Sequence, residues 1–458
     1  MQAWAAEEVA GVKLKDRRHK QRLIQMIEAF TKRPAASIPA VFEDWHATKA
    51  AYRFFSSERV EAEAIRKGHQ AKTIQRMGAE EWVLVAQDTT ELNYTSHKHT
   101  EGLGGLRHPG ELGLYVHSGL AINLTGVPLG LVYQETWARE IQPERSKYER
   151  KSRATTEKES QRWVRTLQVC EQAIPTEKNV VLVADREADM YDLFAAERRA
   201  NFHLLIRAVQ NRRVTHPLEY LQEAVRSQPV AGQIDVEVGR QGERPPRTAR
   251  LNIRFLSVAI RPPHRPPYRK TTPPIPVQVI LAEEIDPPEG ETALLWWLIT
   301  TLAVENLTDA QRCIRWYSYR WLIERFHFVL KSGCRIERLQ LEQADRLERA
   351  IAVYSIVAWR LLWLTYQARK SPEQSCQFVL QPHEWQALYC TVHQTSTPPD
   401  VPPSLHAAIL WIARLGGFLA RKADGEPGVQ TIWTGLRRLD DIAATWQLLN
   451  PSAPPNYG

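Results

Sequence analysis

The chain has 458 residues, which at roughly 150 residues per unit leaves room for about three domains, each long enough to bury a core. Its 43% hydrophobic and 24% charged residues are those of a globular protein, not of a disordered, collagen-like or fibrous one. The 60 Lys and Arg against 52 Asp and Glu give a net charge of +8, which favours nucleic acid or another polyanion as partner.

Met1 to Val12 carries Glu7 and Glu8 and no basic segment followed by an apolar run, so no secretory signal is expected. No run of about 20 apolar residues occurs, so no membrane contact is expected either. Cys170, Cys313, Cys334, Cys376 and Cys390 are scattered without a CxxC pair, which fits reduced thiols in a cytosol better than a disulfide frame or a zinc site.

Residues 14 to 80 read as helical, with apolar spacing at Leu23, Ile24, Met26, Ile27 and Phe30 and a break near Pro34 and Pro39. Lys13, Lys15, Arg17, Arg18, Lys20 and Arg22 hang basic side chains on the first helix, as a solvated face or as a phosphate-contacting one. From Glu81 the pattern turns to short apolar runs: Trp82 to Ala86, Val116 to Leu124, Val127 to Tyr133, Val180 to Ala184 and Phe202 to Ile206. Helical composition at Glu144 to Gln172 and Arg186 to Arg199 alternates with the later runs, predicting a mixed α/β sheet whose early strands form a meander. Residues 210 to 290 break away from it as a β-rich insertion, with a Pro-rich basic tract from Arg261 to Pro276. Helices return over Thr308 to Arg369, Leu405 to Leu419 and Thr431 to Leu449.

Asp88 and Asp185 each follow a buried-looking strand, where a carboxylate is exposed while its backbone is held rigid. An Asp in that place commonly caps a turn, but two in one sheet make a constellation. Tyr317, Arg320, Glu324 and Lys331 share one helix; at about 100° per residue the last three fall roughly −60°, −20° and −40° from the first, one narrow stripe. Such a stripe is either an ordinary salt-bridged face, since Arg320 and Glu324 are an i, i+4 pair, or a phosphate-facing site. Three carboxylates from separate elements can hold two hard divalent cations about 4 Å apart, suited to in-line phosphoryl transfer.

The spacing Tyr317-x2-Arg320-x3-Glu324-x6-Lys331, with Gln87-Asp88-Thr89-Thr90 and Asp185-Arg186-Glu187-Ala188-Asp189, resembles the bacterial cut-and-paste DNA transposases with an Asp-Asp-Glu triad, in the insertion sequence 4 family and its Tn-five branch. Ala51-Tyr52-Arg53-Phe54, Ala64-Ile65-Arg66-Lys67, Leu281-Ala282-Glu283-Glu284-Ile285 and Ile412-Ala413-Arg414-Leu415-Gly416-Gly417-Phe418 extend the likeness from about Leu14 to Trp446. The resemblance implies a ribonuclease H-like mixed-sheet catalytic core over residues 76–370, with a β-strand insertion at about 210–290. Flanking it would be a helical end-binding region over 1–75 and a helical dimerisation region over 371–458.

It further implies Asp88, Asp185 and Glu324 as catalytic residues and ligands of two Mg²⁺ ions, with Mn²⁺ a possible substitute. Tyr317, Arg320, Lys331 and Arg207 would contact transposon-end DNA, and Arg18 and Arg22 the inverted repeat. Trp296 would act on a flipped base, although Trp297 is adjacent and a core tryptophan is the plainer reading. Ile412, Leu415, Phe418 and Leu419 are candidate dimer contacts, or else internal packing. The implied partners are transposon-end and target double-stranded DNA and a second copy of the chain, in a bacterial cytoplasm at the nucleoid. A non-catalytic end-binding inhibitor and a structure-selective nuclease with the same core are the alternatives. The loop from Thr95 to Leu114 departs from the family; its His97, His99 and His108, with His117 beyond, suggest a metal site less than solvated or phosphate-contacting side chains.

Overall fold

The computed structural model describes residues 3–42, 44–140, 160–238, 247–264, 268, 272–421 and 424–450. Five helices open the chain: α1 (Ala3–Glu8), α2 (Arg17–Lys32), α3 (Ile38–Phe42), α4 (Trp45–Phe55) and α5 (Ala62–Met77). Asp16 caps α2 by accepting from the Arg18 amide at 2.8 Å, and Asp44 caps α4 through the Ala47 amide at 2.7 Å. Pro39 does not break a helix but sits in the first turn of α3, where a missing amide hydrogen has no partner to lose.

Among the described residues ten strands follow: β1 (Trp82–Asn93), β2 (Gly104–Gly105), β3 (Leu112–Ile122), β4 (Pro128–Trp137), β5 (Asn179–Ala184), β6 (Phe202–Arg207), β7 (Gly232–Val238), β8 (Arg247–Ile260), β9 (Ile275–Glu284) and β10 (Leu295–Thr300). Between them lie α6 (Gln161–Ala173), α7 (Tyr191–Ala195) and α8 (Leu221–Arg226). All ten strands belong to one sheet. Antiparallel β4, β3 and β1 form the expected meander, β1, β5 and β6 run parallel, and β10, β9, β8 and β7 continue antiparallel beyond β6. This mixed sheet, with helical regions at both ends of the chain, is consistent with a ribonuclease H-like fold.

The insertion therefore does not break away from the sheet. β10 pairs with β6 (Leu298 opposite Arg207) and β9 with β10, so the insertion hydrogen-bonds to the core as its extension. Leaving β6 unpaired would have exposed a row of backbone donors and acceptors. Of the stretch Arg186 to Arg199, expected to be helical, only a 3₁₀ turn at Arg186–Ala188 and the short α7 are wound. Residues 144–159 and parts of the Pro-rich tract lie outside the described residues.

After β10 come α9 (Leu307–Ser318), α10 (Trp321–Phe328), a π-turn at Val329–Gly333, the long α11 (Ala344–Lys370), α12 (Pro382–His393), α13 (Leu405–Leu415) and α14 (Val429–Leu449). One sheet face, with Leu84, Ala86, Val181, Val183, Leu205 and Leu298, packs under α11 and shares its core with Leu23, Met26, Ile27 and Phe30 of α2. Phe30 stacks on Tyr354 of α11 at 4.6 Å, so this core runs across the expected boundary near residue 75. The other face, with Val83, Val85, Leu182, Leu204 and Ile299, packs on Trp163, Leu167 and Cys170 of α6.

A third cluster joins α12, α13 and α14. Ile412 is buried in it, and Leu415 and Phe418 pack against it, so three of the four candidate dimer contacts serve internal packing; Leu419 is exposed. Gly416 and Gly435 let these helices touch, since a Cβ at either would lie 1.8 or 1.7 Å from a backbone oxygen of the neighbouring helix. All five cysteines are free and buried. Among the described residues no helix is long and apolar enough to cross a membrane.

Candidate active site

Strand alternation and register bring the two aspartates together. β1 and β5 pair in parallel from Trp82 opposite Asn179 to Gln87 opposite Ala184, so Asp88 and Asp185 are the next residues on neighbouring strands. Asp88 shares a face with Leu84 and Ala86, and Asp185 with Val181 and Val183, because successive strand side chains alternate. Contrary to expectation, Asp88 does not end its strand: β1 runs on to Asn93, held by its antiparallel pairing with β3, where Asp88 lies opposite Ser118. Only the parallel half of its pairing stops there, which opens the sheet beside the carboxylate. Asp185 does leave its strand, and caps the following 3₁₀ turn through the Glu187 amide at 2.9 Å.

The segment carrying Glu324 crosses this face. It is not the single α-helix that the stripe assumed. Tyr319, Arg320, Leu322 and Ile323 donate to the carbonyls of Trp316, Tyr317, Tyr319 and Arg320, tightening the turn, and Cys334 donates to Val329, widening it. Tight turns advance more and wide turns less than 100° per residue, so Lys331, in the wide turn, leaves the stripe while Tyr317, Arg320 and Glu324 stay together. Arg320 holds Glu324 in a short ion pair and lies 3.9 Å from Asp88. Tyr317 is buried under it, its ring 6.0 Å from the Arg320 guanidinium. Lys331 turns aside, donating to the Glu91 carbonyl at 2.9 Å with Glu337 3.4 Å away.

Trp296 and Arg207 complete this face. Trp296 is half-buried and meets Tyr317 edge-on at 5.2 Å, whereas Trp297 points to the opposite face beneath Arg226. Alternation along β10 thus assigns Trp296, not its neighbour, to the side of the aspartates. Arg207 donates to the Leu295 carbonyl at 3.1 Å and lends positive charge to the Tyr317 surroundings. Arg18 and Arg22 lie far along the chain on α2; Arg18 is exposed and paired with Asp16 at 2.9 Å, and Arg22 is half-buried.

Burial pushes the Asp88 carboxyl up to about 7, Asp185 adding to the rise and Arg320 opposing it. Burial raises Asp185 too, against the pull of the Glu187 amide and Arg320. Arg320 keeps its charge despite burial, because Tyr317, Glu324 and Asp88 outweigh it. Two half-buried neighbouring carboxylates, both with raised proton affinity, form a donor pair suited to a hard divalent cation. Glu324, held by Arg320, does not close that pair into a cage: among the described residues no three His, Cys, Asp or Glu side chains are arranged to hold a metal ion. This also separates the loop histidines. His97 packs edge-on against Tyr94 at 5.3 Å, while His117 is buried within the sheet.

The sequence reading missed a charged rim around the aspartates. Arg107 reaches Glu187 at 3.2 Å and Glu91 at 3.8 Å, and Arg162 donates to Glu187 at 3.1 Å. Period-2 alternation sets Glu91 on the opposite face from Asp88, with Gln87 and Thr89, so it gives no signal for this rim, and Arg107 and Arg162 carry no local signal either.

Three families match parts of the chain. The family described as Transposase DNA-binding matches residues 1–60, the Transposase DDE domain residues 144–360, and the Transposase Tn5 dimerisation domain residues 356–445. The second spans Asp185 and Glu324, and the first covers the capped helices α2 and α4. By these matches the chain is similar to the DDE-domain transposases over residues 144–360 and is related to the transposase DNA-binding and Tn5 dimerisation families.

Proposed function

We propose that the chain is a cut-and-paste transposase of the insertion sequence 4 family that nicks the ends of its element, forms and opens a hairpin there, and joins the freed ends to target DNA. The observation that carries this reading is the convergence of Asp88, Asp185 and the Arg320–Glu324 pair on one sheet face, beside Tyr317 and Trp296. Asp88 and Asp185 would hold Mg²⁺, or Mn²⁺ in its place, with Glu324 joining them once Arg320 turns to a DNA phosphate. When bound, two such ions activate the attacking oxygen and stabilise the leaving one.

The chain's own groups orient the DNA. The guanidinium groups of Arg320 and Arg207 offer planar donor pairs to phosphate oxygens, which a point charge such as Lys331 cannot match. Lys331, released from Glu91 and Glu337, adds charge to the same strand. The Trp296 ring, backed by Tyr317, provides a surface on which an unstacked base can rest, offsetting the few kcal/mol that flipping costs. Arg18 and Arg22 would contact the inverted repeat through its backbone. Two copies, joined through the C-terminal helices, would each bring one end.

Each chemical stage is an in-line exchange at phosphorus. Water first frees a 3′-hydroxyl; that hydroxyl displaces a strand oxygen on the opposite strand to close the hairpin; water reopens it; and the 3′-hydroxyl finally attacks target DNA. The deciding experiment is cleavage of labelled duplexes carrying the inverted repeats that flank the gene, with Mg²⁺, comparing wild type, Glu324→Ala and a scrambled end. Nicks and hairpins at the repeat boundary from wild type alone are expected. Binding without cutting would instead favour an end-binding inhibitor, and equal cutting of scrambled DNA a structure-selective nuclease.

A further inference from the structure

Behind the aspartates, on the opposite face of the sheet, a closed ring of hydrogen bonds joins four side chains. Thr89 follows Asp88, points to the other face, and lies directly across from His117 on β3. Arg162 Nε donates to Thr89 Oγ1 at 2.8 Å, so the Thr89 hydroxyl hydrogen is free for His117 Nδ1, also 2.8 Å away. His117 Nε2 lies 2.9 Å from Thr166 Oγ1, and Thr166 donates its own hydrogen to the Arg162 carbonyl at 2.9 Å. The directions close consistently when Nδ1 accepts and Nε2 carries the proton, which it directs to Thr166 Oγ1 and to Gln87 Oε1, 3.2 Å away.

His117 and Thr166 are fully buried, so each bond in the ring is expensive to leave unmade. Burial and the cations of Arg162 and Arg165 hold His117 neutral, as this tautomer requires.

The ring is anchored to both aspartate-bearing strands. The Thr89 amide donates to Asp88 Oδ1 at 2.7 Å, fixing that carboxylate's rotamer. Arg162 reaches past Thr89 to Glu187, whose amide is bonded to Asp185. α6 thus ties the residue after Asp88 to the turn after Asp185.

We propose that Thr89, His117, Thr166 and Arg162 are positioning residues that set the separation and orientation of the Asp88–Asp185 carboxylate pair from the far side of the sheet. The proposal rests on the reading of that pair as the cation-binding site. None of the four touches the ion or the DNA; they act through the Thr89 amide and through Glu187.

The test uses the full chain and the isosteric pair Thr89→Val and Thr89→Ser. Valine keeps the β-branched shape but removes the hydroxyl, and serine restores it. Mn²⁺ affinity is read from the electron paramagnetic resonance of the free ion, end-duplex affinity from a binding titration, and cleavage from single turnovers. Thr89→Val is expected to lose about 10-fold or more in Mn²⁺ affinity and in cleavage rate, as outer-shell partners of a metal site do. Its end-duplex affinity should stay unchanged, and Thr89→Ser should recover both losses.

Thr166→Val opens the same ring on α6, away from Asp88, and should repeat the Mn²⁺ loss in a protein that melts cooperatively. A folded Thr89→Val or Thr166→Val protein with wild-type Mn²⁺ affinity overturns the proposal, as does a Thr89→Val loss that serine fails to restore. A wild type that binds Mn²⁺ yet cuts no repeat end would sink the transposition reading alone, since the Mn²⁺ arm still decides the ring.

Discussion

Asp88, half-buried, and Asp189, buried, both lie near the carboxyl ends of the parallel strands, and their surroundings are opposite. Asp189 is fully served: Arg212 donates to its carboxylate at 2.6 and 2.9 Å, and the amides of Val209 and Gln210 donate at 2.8 and 2.9 Å. Asp88 has one close donor, the Thr89 amide, with a guanidinium at 3.9 Å and a second carboxylate beside it. The corner at Asp189 spends its donors on holding the turn after β5 to the chain leaving β6. The pair at Asp88 leaves its charge uncompensated, which suits a site that takes up a cation and not a joint that holds strands together.

That contrast can be broken by substitution. Asp189→Ala strands the buried Arg212 charge and should destabilise the protein by about 3–5 kcal/mol, measured by urea unfolding. A loss comparable to that of an exposed residue would mean the corner is not structural.

Asp88→Asn should do the reverse in the metal-free protein. The folded-state carboxyl binds its proton more tightly than the unfolded one, about 7 against an ordinary 3.8, so its favourable contribution is complete below pH 4 and disappears as pH rises through 7. The substitution should therefore stabilise at pH 8 by on the order of 4 kcal/mol at most and have little effect at pH 4. Melting curves at the two pH values read this directly, and equal shifts at both would refute it.

Arg320→Gln tests the guanidinium between the carboxylates. It should cost about 1.5–3 kcal/mol in metal-free stability at neutral pH, the worth of a hydrogen bond to a charged group, while raising Mn²⁺ affinity. Weaker Mn²⁺ binding in this variant would show that Arg320 supports the ion instead of competing with it. The smallest effect is expected at Arg18→Gln. Its guanidinium is exposed and the pair with Asp16 lies at the surface, so the melting temperature should not move measurably, and any change should appear only in binding of end DNA.

Much of this site was legible because its parts are local. Two apolar runs each ending near an acid mark Asp88 and Asp185, and the intervals from Tyr317 to Lys331 mark Glu324 and Arg320 without knowledge of the fold. The choice between Trp296 and Trp297 was not legible, because adjacent residues exchange faces with a one-residue change of register. Lys331 departs from the stripe because the arithmetic assumes a constant turn, and this segment tightens and then widens. The ring behind Asp88 escaped notice although Gln87, Thr89 and His117 are polar residues on a face otherwise filled by Val83, Val85 and Ala121. His117 was considered together with the loop histidines when strand alternation would have separated it from them.

Strand and helix periodicity, which depend only on neighbouring residues, determined the order of most elements and the meander, while the candidate acids Asp88, Asp185 and Glu324 came from the family resemblance. Tertiary structure alone decided that the insertion extends the sheet through β10 and β6, that Arg320 stands between Asp88 and Glu324, and that α6 reaches both aspartate strands. These depend on pairing between segments as far apart as Arg207 and Leu298, or Asp88 and Arg320. Such pairings are settled by the burial and hydrogen-bond satisfaction of the whole sheet, a free energy that no local stretch of residues carries.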